Sequence, residues 1–158
     1  MTAAAGGDAI VYVIRQADAG DRAVWRGDDR LRPLSRRGVE EARALVRMLE
    51  GRRLSAVLSS PYVRCRQTVE PLAAATGLPV EDSDALAEGA GPDGLIDAGT
   101  ARGAAALCSH ADVIGTLVGR LVERGVVAAA EARWEKGSVW VLESSRGEVT
   151  GAAYLPPG

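Results

Sequence analysis

Ile10-Val11-Tyr12-Val13-Ile14-Arg15-Gln16-Ala17-Asp18 begins with five apolar residues and then turns abruptly polar. An unbroken apolar run is what a strand buried on both faces requires, and such strands belong to parallel sheets covered by helices on each side. Two further stretches repeat the form. Ala56-Val57-Leu58-Ser59 ends at Ser60-Pro61, and the run from Ala104 to Cys108 ends at Ser109-His110. Helical patterns separate them. From Gly38 to Leu49 apolar residues recur at helical spacing, with Gly51 as the stop. Tyr62 to Thr76 reads as a helix closed by Gly77, with a kink or early break expected at Pro71. Val113 to Arg124 is apolar at 113, 114, 117, 118, 121 and 122.

The remaining segments complete the alternation. Leu78-Pro79-Val80 is expected as a third strand, Val139 to Leu142 as another, and Glu148 to Tyr154 as an edge strand. Residues 85 to 102, rich in Gly, Ala and Asp, are expected to form a short helix with mobile loops. Strands alternating with helices predict a three-layer α/β/α sandwich around a largely parallel sheet. Ligands of such sheets gather outside the carboxyl ends of the strands. Arg15-Gln16, Ser59-Ser60 and Ser109-His110 all fall at such ends.

A chain of 158 residues suits one domain over residues 1–158, burying roughly two-thirds of its unfolded surface. Its core is expected over about 9–154, with residues 1–8 and 155–158 as flexible tails. Basic residues number 19 and acidic 21, so the charge of -2 gives no reason to expect nucleic acid as a partner. Of the cations only Lys136 is a lysine. Residues 1–8 lack the cationic start and apolar run of a signal peptide. No apolar string approaches the roughly twenty residues of a membrane span, so no membrane partner is expected. Two cysteines, Cys65 and Cys108, fit a reducing cytoplasm, where they pack as small apolar side chains. A regulatory disulfide between them is the alternative. No metal or cofactor is expected.

Few residues carry chemistry. Arg15 follows a buried strand, and Arg64 sits one turn into the helix after Ser59-Ser60-Pro61, where a helix N-terminus attracts anions. Each alone reads as a solvated charge. Together, two guanidiniums at neighbouring strand ends make a clamp suited to a phosphoryl group. His110, the only histidine, stands between an apolar strand and a new helix. A charged imidazole there donates two hydrogen bonds.

Three stretches, Arg15-Gln16-Ala17, Ser59 to Thr68 and Leu107-Cys108-Ser109-His110, together resemble the histidine phosphatase superfamily, whose fold is that of phosphoglycerate mutase. Arg32-Pro33-Leu34-Ser35-Arg36-Arg37-Gly38 resembles a segment of its small SixA-type phosphohistidine phosphatases. Trp25-Arg26-Gly27-Asp28 resembles the phosphatase-like half fused to some Nudix hydrolases, which makes Trp25 and Arg26 candidate rim contacts. The resemblance covers about residues 9 to 145. It implies that Arg15, Arg64 and His110 hold the phosphoryl group, and that Glu88, in Leu86-Ala87-Glu88-Gly89, is the acid that protonates the leaving group. A solvated carboxylate is the competing reading of Glu88. The implied ligands are a phosphorylated small molecule or a phosphohistidine protein, with inorganic phosphate or another oxyanion in the same place.

In the family the first motif reads Arg-His-Gly or Arg-His-Ala, and its His takes the phosphoryl group. Here that position holds Gln16. An amide nitrogen is delocalised into its carbonyl and cannot attack phosphorus, yet its NH₂ group still donates hydrogen bonds to phosphate oxygens. Binding without turnover is the expectation. The accounts left open are an engineered trap, a natural pseudoenzyme, and a slow hydrolase using His110 or an activated water. A rival from another class is a non-catalytic protein-interaction domain.

Overall fold

Alternation along one strand sets the layers. In the computed structural model, which describes residues 7–158, the first strand, β1 (Asp8–Arg15), sends Val11 and Val13 to one face and Tyr12 and Ile14 to the other. All four are buried. At about 1.5–3 kcal/mol for each large apolar side chain removed from water, this strand alone contributes substantially to stability.

On the Val11/Val13 face lie α3 (Pro92–Thr100) and α4 (Ala111–Glu123), which contribute Leu95, Ile114, Leu117, Val118 and Leu121. On the Tyr12/Ile14 face lie α1 (Arg36–Met48) and α2 (Val63–Thr76), with Leu45, Val69 and Leu72. The remaining strands are β2 (Ala56–Ser59), β3 (Val80–Asp82), β4 (Ala104–Ser109), β5 (Val139–Ser145) and β6 (Glu148–Leu155). The six-stranded sheet has the order β3-β2-β4-β1-β5-β6. Its first four strands run parallel, and β5 and β6 add an antiparallel pair at one side. The architecture is the expected three-layer α/β/α sandwich.

Register brings the strand ends together. Arg15 lies opposite Ser109 across β1 and β4, and Ser59 lies opposite Cys108 across β2 and β4. The Gln16 N–H donates to Ser109 O at 3.1 Å and the Ser60 N–H to Cys108 O at 3.0 Å. Gln16, Ser60 and His110 therefore leave the sheet side by side.

Several boundaries differ from the expectation. α1 begins at Arg36 because the Ser35 hydroxyl caps it, accepting from the Gly38 N–H. α2 runs unbroken through Pro71 to Thr76, without the early break. The proline removes one backbone donor, but Val69, Leu72 and Ala73 are buried around it and hold the helix to the sheet. The third strand is not Leu78-Pro79-Val80. Leu78 donates instead to Ala73 O as part of the α2 cap, Pro79 has no N–H to pair, and pairing with β2 starts at Val80. At the chain's end Leu155 pairs with Val139 and belongs to β6, and Gly158 lies against Ala44 and Met48 of α1. Of the expected N-terminal tail, Asp8 is already in β1, and residues 1–6 lie outside the described residues.

Candidate active site

Arg15 leaves β1 with its N–H donating to Ser138 O and its guanidinium donating to Trp134 O at 2.9 Å. Burial pulls it down from the usual arginine range, against the opposing pull of Tyr154 and Glu41. Gln16 follows, 8% exposed. The Ala17 N–H donates to Thr68 Oγ1, whose own hydroxyl donates to Arg64 O at 2.7 Å. Thr68 thus ties the end of β1 to the first turns of α2. Asp18 accepts from Ser35 Oγ at 2.6 Å and from Lys136 Nζ at 2.8 Å, which hold its carboxyl down at about 2.

Arg64 is 1% exposed, and its partners come from the polar loop between β1 and α1. It donates to Asp29 O at 2.8 Å and pairs with Asp29 Oδ2 at 3.1 Å. Asp29 also pairs with Arg22 at 3.4 Å and Arg32 at 2.9 Å. Glu88 reaches the same place: its Oε2 lies 2.6 Å from Arg22 and 3.6 Å from Arg64. His110 caps α4 without a side-chain bond of its own to that helix. Its Nε2 sits 2.8 Å from Ser60 Oγ and 3.6 Å from Cys65 Sγ, and Tyr62 packs edge-on against the ring at 4.6 Å.

The two cysteines are free and buried. Burial pushes the Cys65 thiol up, but hydrogen bonds with Cys108 and His110 outweigh it and bring it to about 6. Burial and the neighbouring Cys65 hold the Cys108 thiol well above its ordinary value.

Arg15, Gln16, Arg64, Glu88 and His110 line one cavity of about 300 Å³. Five cations (Arg15, Arg22, Arg32, Arg64 and Lys136) face two carboxylates, Glu88 and Asp112, on its wall. In a chain of net charge -2 this is a local excess of positive charge, which concentrates anions. Among the described residues, three buried side-chain nitrogens lack a hydrogen-bond partner: Arg15 Nε, Arg64 Nε and His110 Nδ1. All three belong to residues of this cavity. An unpaired buried polar group costs about 1–3 kcal/mol, and the two guanidinium Nε–H groups are donors whatever the tautomer of His110, so the cavity suits a ligand rich in acceptors. A larger cavity of about 780 Å³ shares Arg15 and Lys136, but there Arg15, Arg37, Arg47 and Lys136 are matched by Asp18, Glu40, Glu41 and Glu135. Its balanced charge makes it the poorer anion site.

Trp25 and Arg26 do not join the site. Trp25 Nε1 donates to Asp28 O within its own loop, and neither residue lines the cavity. From that loop it is Arg22, Asp29 and Arg32 that reach Arg64 or the cavity; the sequence marks Arg32 only as part of the Arg32 to Gly38 segment, and sequence reasoning missed Arg22 and Asp29. The capped Asp28-Asp29 turn was the only local signal for Asp29. Lys136 stands out in the sequence only as the one lysine and as part of the segment running into Val139 and Trp140, with no site role given to it.

The profile of the histidine phosphatase superfamily (branch 1) matches residues 19–93, a span holding Arg64 and Glu88 but neither Arg15-Gln16 nor His110. Over 154 residues, 93% of its length, the chain is 36% identical to an 8-oxo-(d)GTP phosphatase of Mycolicibacterium smegmatis, and it spans only about half, 48%, of that protein. It is 32% identical over 121 residues to the phosphohistidine phosphatase SixA of Escherichia coli (strain K12), covering 70% of the chain and 73% of the relative. The crystal structure of a candidate SixA phosphohistidine phosphatase from Agrobacterium tumefaciens superposes with a TM-score of 0.76 at 23% identity, over 94% of this chain and 98% of that one.

Proposed function

The chain belongs to the histidine phosphatase superfamily, and we propose that it holds a SixA-like phosphate pocket whose hydrolytic turnover is impaired by Gln16 at the nucleophile position. One observation carries the reading: the unpartnered buried nitrogens of Arg15, Arg64 and His110 belong to residues that line the same cavity as Gln16. A phosphoryl group supplies the acceptors that the two guanidinium N–H groups lack. Arg15 and Arg64 offset its charge, His110 donates to it, and the Gln16 NH₂ group donates in place of attacking. With an imidazole at this position, the ring would attack phosphorus in line and water would cleave the resulting phosphohistidine. Loss of a covalent nucleophile costs on the order of 10⁶ in rate, while binding survives.

The ligand class is a phosphohistidine protein or a small phosphomonoester, in the reducing cytoplasm that keeps Cys65 and Cys108 as thiols. Phosphohistidine makes the least demand on Glu88, because an imidazole leaves readily without a strong acid. A nucleotide phosphate is the second reading, favoured by the 36% identity to the 8-oxo-(d)GTP phosphatase.

Calorimetric titration with inorganic phosphate and tungstate tests the pocket. Binding is expected, and at a hundred times Kd it should raise the melting temperature by about 5–10 °C. Arg64→Ala should abolish both effects. No binding at millimolar ligand would overturn the phosphate pocket and leave an interaction domain. A much tighter complex with 8-oxo-GTP than with phosphate would select the nucleotide.

A further inference from the structure

We propose that Ser60 is a positioning residue that keeps a proton on His110 Nδ1, so that the ring meets a bound oxyanion as a donor; the proposal rests on the phosphate-pocket reading. Ser60 follows β2 directly and is fully buried. Its N–H is bonded to Cys108 O, which fixes its backbone against β4, the strand that delivers His110. Its hydroxyl then has little freedom.

A hydroxyl offers one proton and two lone pairs. The Tyr62 N–H donates to Ser60 Oγ at 3.3 Å and occupies one lone pair. His110 Nε2 lies 2.8 Å from the same oxygen. If the hydroxyl gives its proton to Nε2, that nitrogen is the acceptor, and in a neutral imidazole the other nitrogen must then carry the hydrogen. That other nitrogen is Nδ1, the one buried without a protein partner beside the cavity. The opposite tautomer would turn a lone pair toward the anion. Cys65 Sγ is the competing partner of Nε2, but at 3.6 Å it is farther than the Ser60 hydroxyl at 2.8 Å. The edge-on contact with Tyr62 holds the ring in the plane this arrangement needs.

The assignment also bears on turnover. A ring with Nδ1–H toward the cavity has no lone pair there, so His110 does not take over as nucleophile where Gln16 fails.

Because His110 is the only histidine of the chain, selective ¹⁵N labelling of histidine gives a spectrum of this ring alone. At pH 8, without ligand, Nδ1 is expected to be protonated. An unprotonated Nδ1 with a protonated Nε2 would overturn the proposal whatever the variants do. Ser60→Ala should yield a mixture of tautomers and weaken tungstate binding about tenfold or more, the loss of one hydrogen bond to a charged group. Ser60→Thr, which restores the hydroxyl, should recover both the single tautomer and the affinity. A folded Ser60→Ala protein with the parent spectrum and parent affinity would also overturn it. If the parent chain shows the expected tautomer yet binds no tungstate, the pocket reading fails and the Ser60–His110 geometry stands.

Discussion

Asp18 accepts from Lys136 and Ser35, and its N–H donates to Glu41, so one residue two places after Gln16 joins the β1 end to α1 and to the segment before β5. Its hydrogen bonds with Lys136 and Ser35 lower its carboxyl from 3.8 to about 2. The stabilisation from this shift is fully present above the unfolded value near 3.8 and is lost as pH falls toward 2. Asp18→Asn should lower stability at neutral pH and flatten its decline between about pH 4 and pH 2, read by urea melts across that range. An unchanged slope would show that Asp18 is not held by these partners. Single residues were legible where a strand ended: Arg15 and His110 stand directly after buried apolar runs. Ser60 was also placed at a strand end, but its role and those of Asp18 and Lys136 were not legible, because they depend on partners at sequence separations of 118 for Lys136–Asp18 and 50 for Ser60–His110.

At the scale of elements, Gly38 shows how α1 is seated. A Cβ built there would fall 1.9 Å from Asp18 O, so the first turn of α1 packs directly on the backbone of the pocket loop. Gly38→Ala is expected to destabilise by about 1–3 kcal/mol, a fall in melting temperature of about 3–10 °C, and to loosen the loop that carries Arg22 and Asp29. A melting temperature within 1 °C or so of the parent would contradict the close approach. Gly38 appeared in the sequence as the end of the Arg32 to Gly38 segment, but its reason, a contact across 20 residues, carries no periodic signal. The strand and helix patterns were readable because alternating burial leaves its mark in consecutive residues. The misplaced third strand and the unbroken passage through Pro71 mark the opposite case, where capping and tertiary packing override local propensity.

Over the whole molecule, the sandwich, its parallel core and the convergence of three strand ends followed from apolar runs and the residues just after them. The electrostatics of the site did not. The loop between β1 and α1 is polar without period, and only folding reveals that Asp29 links Arg22, Arg32 and Arg64, while Trp25 and Arg26 do not line the cavity. The result is a cavity rich in cations and lined by Gln16, the proposed phosphoryl pocket with an amide at the nucleophile position. Single-turnover reaction with a phosphohistidine substrate and a generic aryl phosphate, following acid-labile phosphate on the protein, compares the parent chain with Gln16→His. Gln16→His is expected to form phosphoenzyme and to hydrolyse on the order of 10³-fold faster or more, while the parent forms none. Equal rates, or acid-labile phosphate on the parent chain, would place the nucleophile elsewhere and contradict it.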